Sequence, residues 1–231
     1  MHTLLLRLAG PMQSWGTQSR FGVRDTGFEP SKSGVIGLLC AALGRGRAEP
    51  VDDLAALRMG VRVDREGALA RDYHTAQNVA RASGGIQDTV VSERYYLADA
   101  DFLVGLAGDD LGLLRRLDAA LARPVWALFL GRKAFAPALP VRLPGEGVRE
   151  DVGLEEALRG EPWRPRLGAP PWEARPERVR VVLEKADGAE VRQDQPDTGA
   201  AFGHRRFLPR MVTTEFWTLG VEVAVLEEND G

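Results

Sequence analysis

The sequence predicts an α+β fold, because two hydrophobic periods alternate along its first 136 residues. Residues 109–122 repeat apolar positions with the period of an amphipathic helix, whereas 60–66 alternate apolar and polar residues as a half-buried strand does. The composition is that of an ordinary folded protein, since 44% of the 231 residues are hydrophobic and 27% are charged. A chain of this length buries a sufficient core without disulfides or a structural metal.

The separate elements follow the order β-α-β-β-α-β through residue 130. Strands are predicted at 3–9, 60–66, 68–75 and 125–130, and the third of them resumes at 93–107 after residues 76–92. Helices are predicted at 33–43 and 109–122, with a second short helix at 52–58. Ser31 or Ser33 begins the first helix as its N-cap, and Gly44 ends it. We expect 68–75 to pair with 60–66, and 125–130 to be a central buried strand. This order is the ferredoxin-like (RRM-like) plan, in which four antiparallel strands carry two helices on one face.

Two regions lie outside this plan. Residues 76–92 are poor in large apolar groups and centre on Ser83-Gly84-Gly85, which predicts a long β-hairpin or flexible finger projecting from the body. After the domain at 1–136, a proline-rich connecting segment is expected at 137–177. A smaller β-rich segment follows at 178–231, with strands at 178–185, 189–193 and 215–226.

Charge and composition exclude several classes of protein. No apolar run approaches the ~20 residues of a bilayer span, and the N-terminus lacks the pattern of a secretory signal, so a cytoplasmic protein without membrane contact is expected. The single cysteine, Cys40, excludes an intramolecular disulfide. Three scattered histidines lack metal-ligand spacing, and no phosphate-loop or dinucleotide motif occurs, so we expect no metal and no cofactor.

Basic residues are distributed unevenly. Residues 1–47 contain six basic and two acidic residues, which gives +4 within a chain of net charge −3. Arginine outnumbers lysine 27 to 3, which is typical either of a GC-rich genome or of phosphate recognition by guanidinium groups. Arg20, Arg24 and Lys32 follow a glycine-flanked Trp15, which could stack on a nucleobase or plug the edge of the core.

Further basic and aromatic groups surround the predicted finger. Arg71 and Tyr73 share one face of their strand and His74 the other, while Arg94 precedes two tyrosines at the returning end. Arg132-Lys133 follows Gly131 without a nearby acid and is interpreted as a phosphate contact, with solvated charge as the alternative. The N-terminus of the helix near Ser33 could also bind a phosphate. These groups together favour a groove for single-stranded nucleic acid.

Four of these motifs, in this order, resemble the CasD-type members of the fifth CRISPR-associated protein family, within the RAMP superfamily. They are LLLRLAGPMQSWG at the N-terminus, PSKSGVIGLLCAALG in the first helix, RDYHT before the finger, and LGRKAF after residue 129. The resemblance covers residues 1 to about 140, and more weakly 178–225. It implies a ferredoxin-like domain with a thumb hairpin at about 76–92.

The resemblance also implies a non-catalytic subunit of the type I-E Cascade complex. Such a subunit grips the 5′ handle of the CRISPR RNA, beside a backbone CasC-type subunit and the large CasA-type subunit, and contact with target DNA is allowed. The implied RNA contacts are Gln13, Trp15, Arg24, Lys32, Ser33, Arg71, Tyr73, His74, Arg132 and Lys133, to which the basic pattern adds Arg20 and Arg94. The implied thumb residues are Asn78, Arg81, Gly84, Gly85, Ile86 and Gln87.

An endoribonuclease is the alternative function, since subtype I-C relatives process the CRISPR RNA themselves. Metal-independent cleavage needs a base for the 2′-OH and cations for the developing charge on phosphorus. Tyr73, His74 and Lys133 could supply these groups if the fold brought them together. The segment GHRRFLPR at 203–210 matches the family only loosely, and no role is assigned to His204, Arg205 or Arg206.

Overall fold

The computed structural model describes residues 1–16, 22–165, 174–199, 204 and 206–219. The strands are β1 (His2–Ala9), β2 (Met12–Gln13), β3 (Val23–Arg24), β4 (Arg58–Arg65), β5 (Ala68–Ala80), β6 (Ile86–Ala98), β7 (Asp101–Gly108), β8 (Val148–Arg149), β9 (Arg178–Glu184), β10 (Glu190–Pro196) and β11 (Phe207–Thr218). The helices are α1 (Lys32–Leu43), α2 (Asp52–Ala55), α3 (Leu111–Ala122) and α4 (Leu154–Gly160). The fold is therefore mixed α+β, as the sequence predicts.

Two sheets organise the described residues. Seven antiparallel strands form the main sheet in the order β10-β11-β9-β4-β7-β1-β8. The second sheet is built on the long pair β5–β6, to which β2 adds in the antiparallel and β3 in the parallel direction. The C-terminal strands β9 to β11 thus extend the main sheet through β4.

The main sheet separates two apolar layers. Alternate residues of β1 point to opposite faces, so that Leu4 and Leu6 pack with α1 and α3, whereas Leu5 packs on the opposite side with α4. On this second side, the Arg159 guanidinium of α4 lies 3.7 Å from the centre of the Trp217 ring. Since α1 and α3, the longest described helices, have 12 residues each, none of the described helices is suited to crossing a membrane.

The apolar run at 125–130 is not the central strand that its composition predicts. Val125 is 63% exposed and Trp126 49% exposed, and their backbone N–H groups donate to the carbonyl oxygens of Ala42 and Ala41. The run therefore satisfies carbonyl groups at the C-terminal end of α1, which have no partner within the helix. Beside β1, β8 takes the edge position of the sheet.

The pairing predicted for 68–75 is also wrong. Strand β5 pairs with β6 along its length and not with β4, which lies between β7 and β9. The strand predicted at 93–107 is interrupted at Asp99, which adopts a left-handed φ of 56°. Its two halves, β6 and β7, consequently belong to different sheets.

The remaining differences concern element bounds. The helix predicted at 52–58 ends at Ala55, because β4 already begins at Arg58. The proline-rich segment contains β8 and α4. Strand β11 begins at Phe207, eight residues before the predicted strand at 215–226, of which 220–226 lie outside the described residues.

Candidate nucleic-acid interface

The hairpin β5–β6 is the projecting element of the structure. Its two 13-residue strands are joined by a turn in which Gly84 and Gly85 have φ values of 89° and 81°, a region that favours glycine. The predicted thumb residues lie on its outer part, where Asn78, Arg81 and Ile86 are exposed and Gln87 is half-buried. The hairpin is longer than predicted, because pairing continues inward to Ala68 and Ala98.

One face of the hairpin root carries a row of charged side chains across three strands. Asp72 of β5 is paired in register with Arg94 of β6, which is paired in turn with Arg24 of β3. Residues directly opposite one another on neighbouring strands project to the same face of a sheet. The row is therefore Asp72, Arg94 and Arg24, with two guanidinium groups side by side.

Arg132 adds a third guanidinium to this row. Its Nη2 donates to the carbonyl oxygens of Tyr95 at 2.8 Å and Arg24 at 3.4 Å, and its Cζ lies 5.4 Å from the centre of the Phe135 ring. Burial, followed by the positive charges of Arg94 and Arg24, lowers the pKa of Arg132. The fold thus holds three like charges together, partly offset by Asp72 and Asp25.

We call Arg24, Arg94 and Arg132 the basic crook, because they lie where the hairpin meets the 130–136 loop. The loop contacts the hairpin through Phe135 and Tyr96, whose ring centres are 5.8 Å apart. Lys133, the other member of the predicted basic pair, is exposed. Cations gathered at one place with incomplete neutralisation are suited to binding a phosphate chain.

His74 belongs to the same face as the basic crook. Its Nδ1 lies 3.7 Å from Oδ2 of Asp72, and its strand partner is Ser92. Arg71 and Tyr73 lie on the opposite face, where Arg71 forms a 3.5 Å ion pair with Glu93 and Tyr73 is 66% exposed. The alternation predicted for RDYHT is confirmed, and it separates Tyr73 from His74.

Gln13 and Trp15 do not lie on this surface. Trp15 is 1% exposed and donates its Nε1–H to Oε1 of Gln13, which is itself fully buried. The Gln13 amide donates to the carbonyl oxygens of Leu8 and Ala100 at 2.9 and 2.8 Å. We therefore correct the predicted RNA contacts at both positions, because their polar groups are used inside the core and no ring face is free for a base.

The N-terminus of α1 is also occupied by the protein itself. Ser31 is the N-cap, and its hydroxyl accepts from the Gly34 N–H, while the Lys32 N–H donates to Oδ2 of Asp194 at 2.8 Å. The carboxylate of Asp194 thus takes the place predicted for a phosphate. Ser33, the alternative N-cap, is a half-buried residue of the first turn.

Lys32 is buried rather than presented to RNA. It is 1% exposed and its Nζ lies 3.0 Å from both carboxylate oxygens of Glu184. Burial lowers the pKa of Lys32, against the opposing effect of Glu184. Arg210, which donates to Asp194 at 2.6 Å, completes a four-charge cluster between α1 and the C-terminal strands.

We predict that Lys32→Ala changes stability and not RNA binding. The variant leaves the Glu184 carboxylate without its main partner, so the free energy of unfolding should fall by about 1–3 kcal/mol. Urea denaturation measures this loss, with Lys133→Ala as the exposed control that should change stability little. Unchanged stability together with weaker RNA binding would return Lys32 to the list of contacts.

The remaining predicted positions are less informative. Arg20 and Arg205 lie outside the described residues, whereas His204 and Arg206 are exposed, and Arg206 pairs with Asp197 at 3.4 Å.

Sequence reasoning missed Phe135, which packs beneath Arg132, and Glu29, which is one of only two acids in residues 1–47. Within the described ranges, no group of three or more His, Cys, Asp or Glu side chains could hold a metal ion.

Comparison with known proteins defines the family of proteins to which this chain belongs. The family model described as CRISPR-associated protein (Cas_Cas5) matches residues 3–218. The chain belongs to this family.

Particular relatives include the CRISPR system Cascade subunit CasD of Escherichia coli (strain K12), which is 35% identical over 147 residues. That alignment covers 57% of this chain and 65% of the relative, so the chain spans just under two thirds of the relative's length. A crystal structure of a Cas protein matches with a TM-score of 0.74 and 44% identity, covering 94% of this chain and 95% of the other. A chain of a CRISPR RNA-guided surveillance complex matches with a TM-score of 0.76 and 35% identity, covering 94% and 90%.

Proposed function

We propose that this chain is an RNA-binding subunit of a type I-E Cascade surveillance complex and holds the 5′ handle of the CRISPR RNA. The observation that carries the proposal is the basic crook, where Arg24, Arg94 and Arg132 meet at the root of a projecting hairpin. The family assignment and the similarity to a Cascade subunit support it. The crook binds phosphates of the handle, and the hairpin crosses the RNA beyond it.

The arrangement of the body supports a ferredoxin-like interpretation. Strands β8, β1, β7 and β4 lie side by side in this order, and α1 and α3 pack on one face of them. In the proposed complex the chain contacts a backbone CasC-type subunit and the large CasA-type subunit. Contact with target DNA would follow from the second of these neighbours.

We propose that the subunit is not a nuclease. Cleavage through a 2′-OH needs its acid and base on the same side of the scissile phosphate. Tyr73 and His74 project from opposite faces of β5, which argues against their joint use on one phosphate. His74 with Asp72 remains on the face of the basic crook, so cleavage is measured directly in the test.

The test combines binding and cleavage in one set of samples. The purified chain is incubated in EDTA with labelled CRISPR repeat RNA of its host, and intact and cleaved RNA are separated. Retention of intact RNA with preference for the 5′-handle sequence is expected. Cleavage within the repeat that His74→Ala abolishes would instead make the chain a processing enzyme. If the isolated chain neither binds nor cleaves, the assay is repeated on the assembled complex, where loss of the handle contact on mutating the crook is expected.

Salt dependence tests the crook residue by residue. Each phosphate contact to single-stranded nucleic acid contributes about 0.7 to the slope of log K against log salt. Arg24→Gln and Arg94→Gln should each reduce this slope by roughly that amount, because each removes one cation from the crook. Arg116→Gln, an exposed arginine of α3, is the control and should leave the slope unchanged. Equal slopes in all three variants would contradict the proposal that Arg24 and Arg94 contact phosphates of the RNA.

A further inference from the structure

Residues 24–31, which we call the loop, run from Arg24 at the end of β3 to the N-cap of α1 and are held near their far end by the C-terminal strands. Glu29 accepts hydrogen bonds from Nη1 of Arg180 on β9 and from Nε of Arg192 on β10, both at 2.8 Å. Arg180 also donates to the carbonyl oxygen of Phe28 at 3.0 Å. The Glu29 side chain is 12% exposed, so this carboxylate lies within the contact between the loop and the sheet.

Two arginines share this one carboxylate, and each has a second acid. Arg180 also pairs with Glu66, and Arg192 with Glu190. Hydrogen bonding to Glu66, and then to Glu29, raises the pKa of Arg180. Isolated surface ion pairs contribute little to stability, but a nearly buried carboxylate shared by two guanidinium groups fixes the position of the chain that bears it.

We infer that Glu29 is a positioning residue for RNA binding: the C-terminal strands clamp the loop at Glu29 and thereby keep Arg24 in the basic crook. The inference rests on the proposed function and gives the C-terminal strands a part in it. At the near end of the loop, Arg24 is paired with Arg94 of β6. The middle of the loop has its own attachment, because Trp15 exchanges two 2.9 Å hydrogen bonds with Thr26 and Gly27. Without the clamp, the loop keeps this attachment but loses its fixed end, and ordering Arg24 on binding costs more entropy.

A positioning role and a purely electrostatic role of Glu29 predict opposite changes in RNA affinity when its charge is removed. Removing a carboxylate near an RNA surface makes the local potential more positive, so Glu29→Gln should tighten binding if Glu29 acts only through its charge. A positioning role predicts that Glu29→Gln binds the handle RNA roughly threefold to tenfold more weakly. The loss should not exceed that of Arg24→Ala, since it acts through Arg24.

The matched control is Glu66→Gln. It removes the other acid that pairs with Arg180, but at a 55% exposed position outside the loop. This variant should bind the same synthetic single-stranded handle RNA at least as tightly as the wild-type chain. Weaker binding by Glu29→Gln than by Glu66→Gln therefore separates positioning from loss of charge.

A double-mutant cycle completes the test. The effect of Glu29→Gln should vanish in the Arg24→Ala background, because the residue to be positioned is gone. Thermal melting checks that each variant folds. If Glu29→Gln does not fold, Arg192→Gln is used instead, because it breaks the same contact from the β10 side. Undiminished or tighter binding by Glu29→Gln, or an unchanged effect in the Arg24→Ala background, would overturn the inference while Arg24→Ala still reports on the crook. If Arg24→Ala itself leaves binding unchanged, the proposed RNA site fails and the inference with it.

Discussion

Replacing Gly131 with alanine should destabilise the protein by about 3 kcal/mol or more. A Cβ at this position would overlap the carbonyl oxygen of Ser14, which is a backbone atom that cannot move alone. The φ of 87° adds the ordinary cost of a left-handed backbone for a residue with a side chain, roughly 1–2 kcal/mol. Ser14 and Leu130 are joined by a 3.1 Å hydrogen bond between the same two segments, so the clash would separate them.

The control for this substitution is Gly145→Ala. Gly145 also has a left-handed φ, 78°, but no atom lies within 4 Å of the Cβ that alanine would add. The loss of stability in Gly145→Ala should therefore be confined to the cost of the left-handed backbone. Urea denaturation of both variants gives the difference, and equal losses would show that the approach of Ser14 is not the cause. Because Arg132 follows Gly131, any soluble Gly131→Ala protein should also bind RNA more weakly.

Shortening the hairpin should abolish assembly while leaving the body folded. Replacing residues 78–88 with Asn-Gly joins the paired residues Gln77 and Thr89 by a two-residue hairpin turn. The removed residues are exposed or half-buried and none belongs to either apolar layer, so the melting temperature should change little. If the hairpin and the crook bind one RNA, losing the hairpin removes an avidity factor on the order of a hundredfold.

The readout is the yield of complex when the shortened chain is co-expressed with the other subunits and the CRISPR RNA. A full-length variant with Ala80→Ser and Ala82→Ser is the control and should assemble normally, since it keeps the reach of the hairpin and changes only small exposed side chains near its turn. Normal assembly by the shortened chain would contradict the proposed role of the hairpin. Loss of cooperative melting would show instead that residues 78–88 support the body.

Local sequence patterns are sufficient to predict an element wherever its structure depends on its own residues. Strand β1, helices α1 and α3 and the projecting hairpin were predicted from periodicity, capping residues and the glycine turn, and all four are present. The family resemblance, which depends on short motifs in a fixed order, is confirmed by the family match.

The sequence predictions are wrong where the structure of a segment depends on the residues that pack against it. The run at 125–130 has the composition of a buried strand, yet it caps α1 because β8 occupies the position beside β1. Trp15 and Lys32 have side chains that suit RNA equally well, but the Trp15 ring packs against Gly34 of α1 and Lys32 pairs with Glu184 of β9. No local pattern records whether a polar side chain already has a partner inside the protein.

The sequence by itself determined the α+β class, the hairpin, the motifs of the family and the basic residues from which a nucleic-acid surface is built. Only the tertiary structure decided which of these cations remain available. Register places Arg24 beside Arg94, and the approach of Gly131 to Ser14 brings Arg132 to them, whereas Lys32 is neutralised inside the protein. The physical reason is that charge follows from composition, but its neutralisation depends on contacts between residues far apart in the chain.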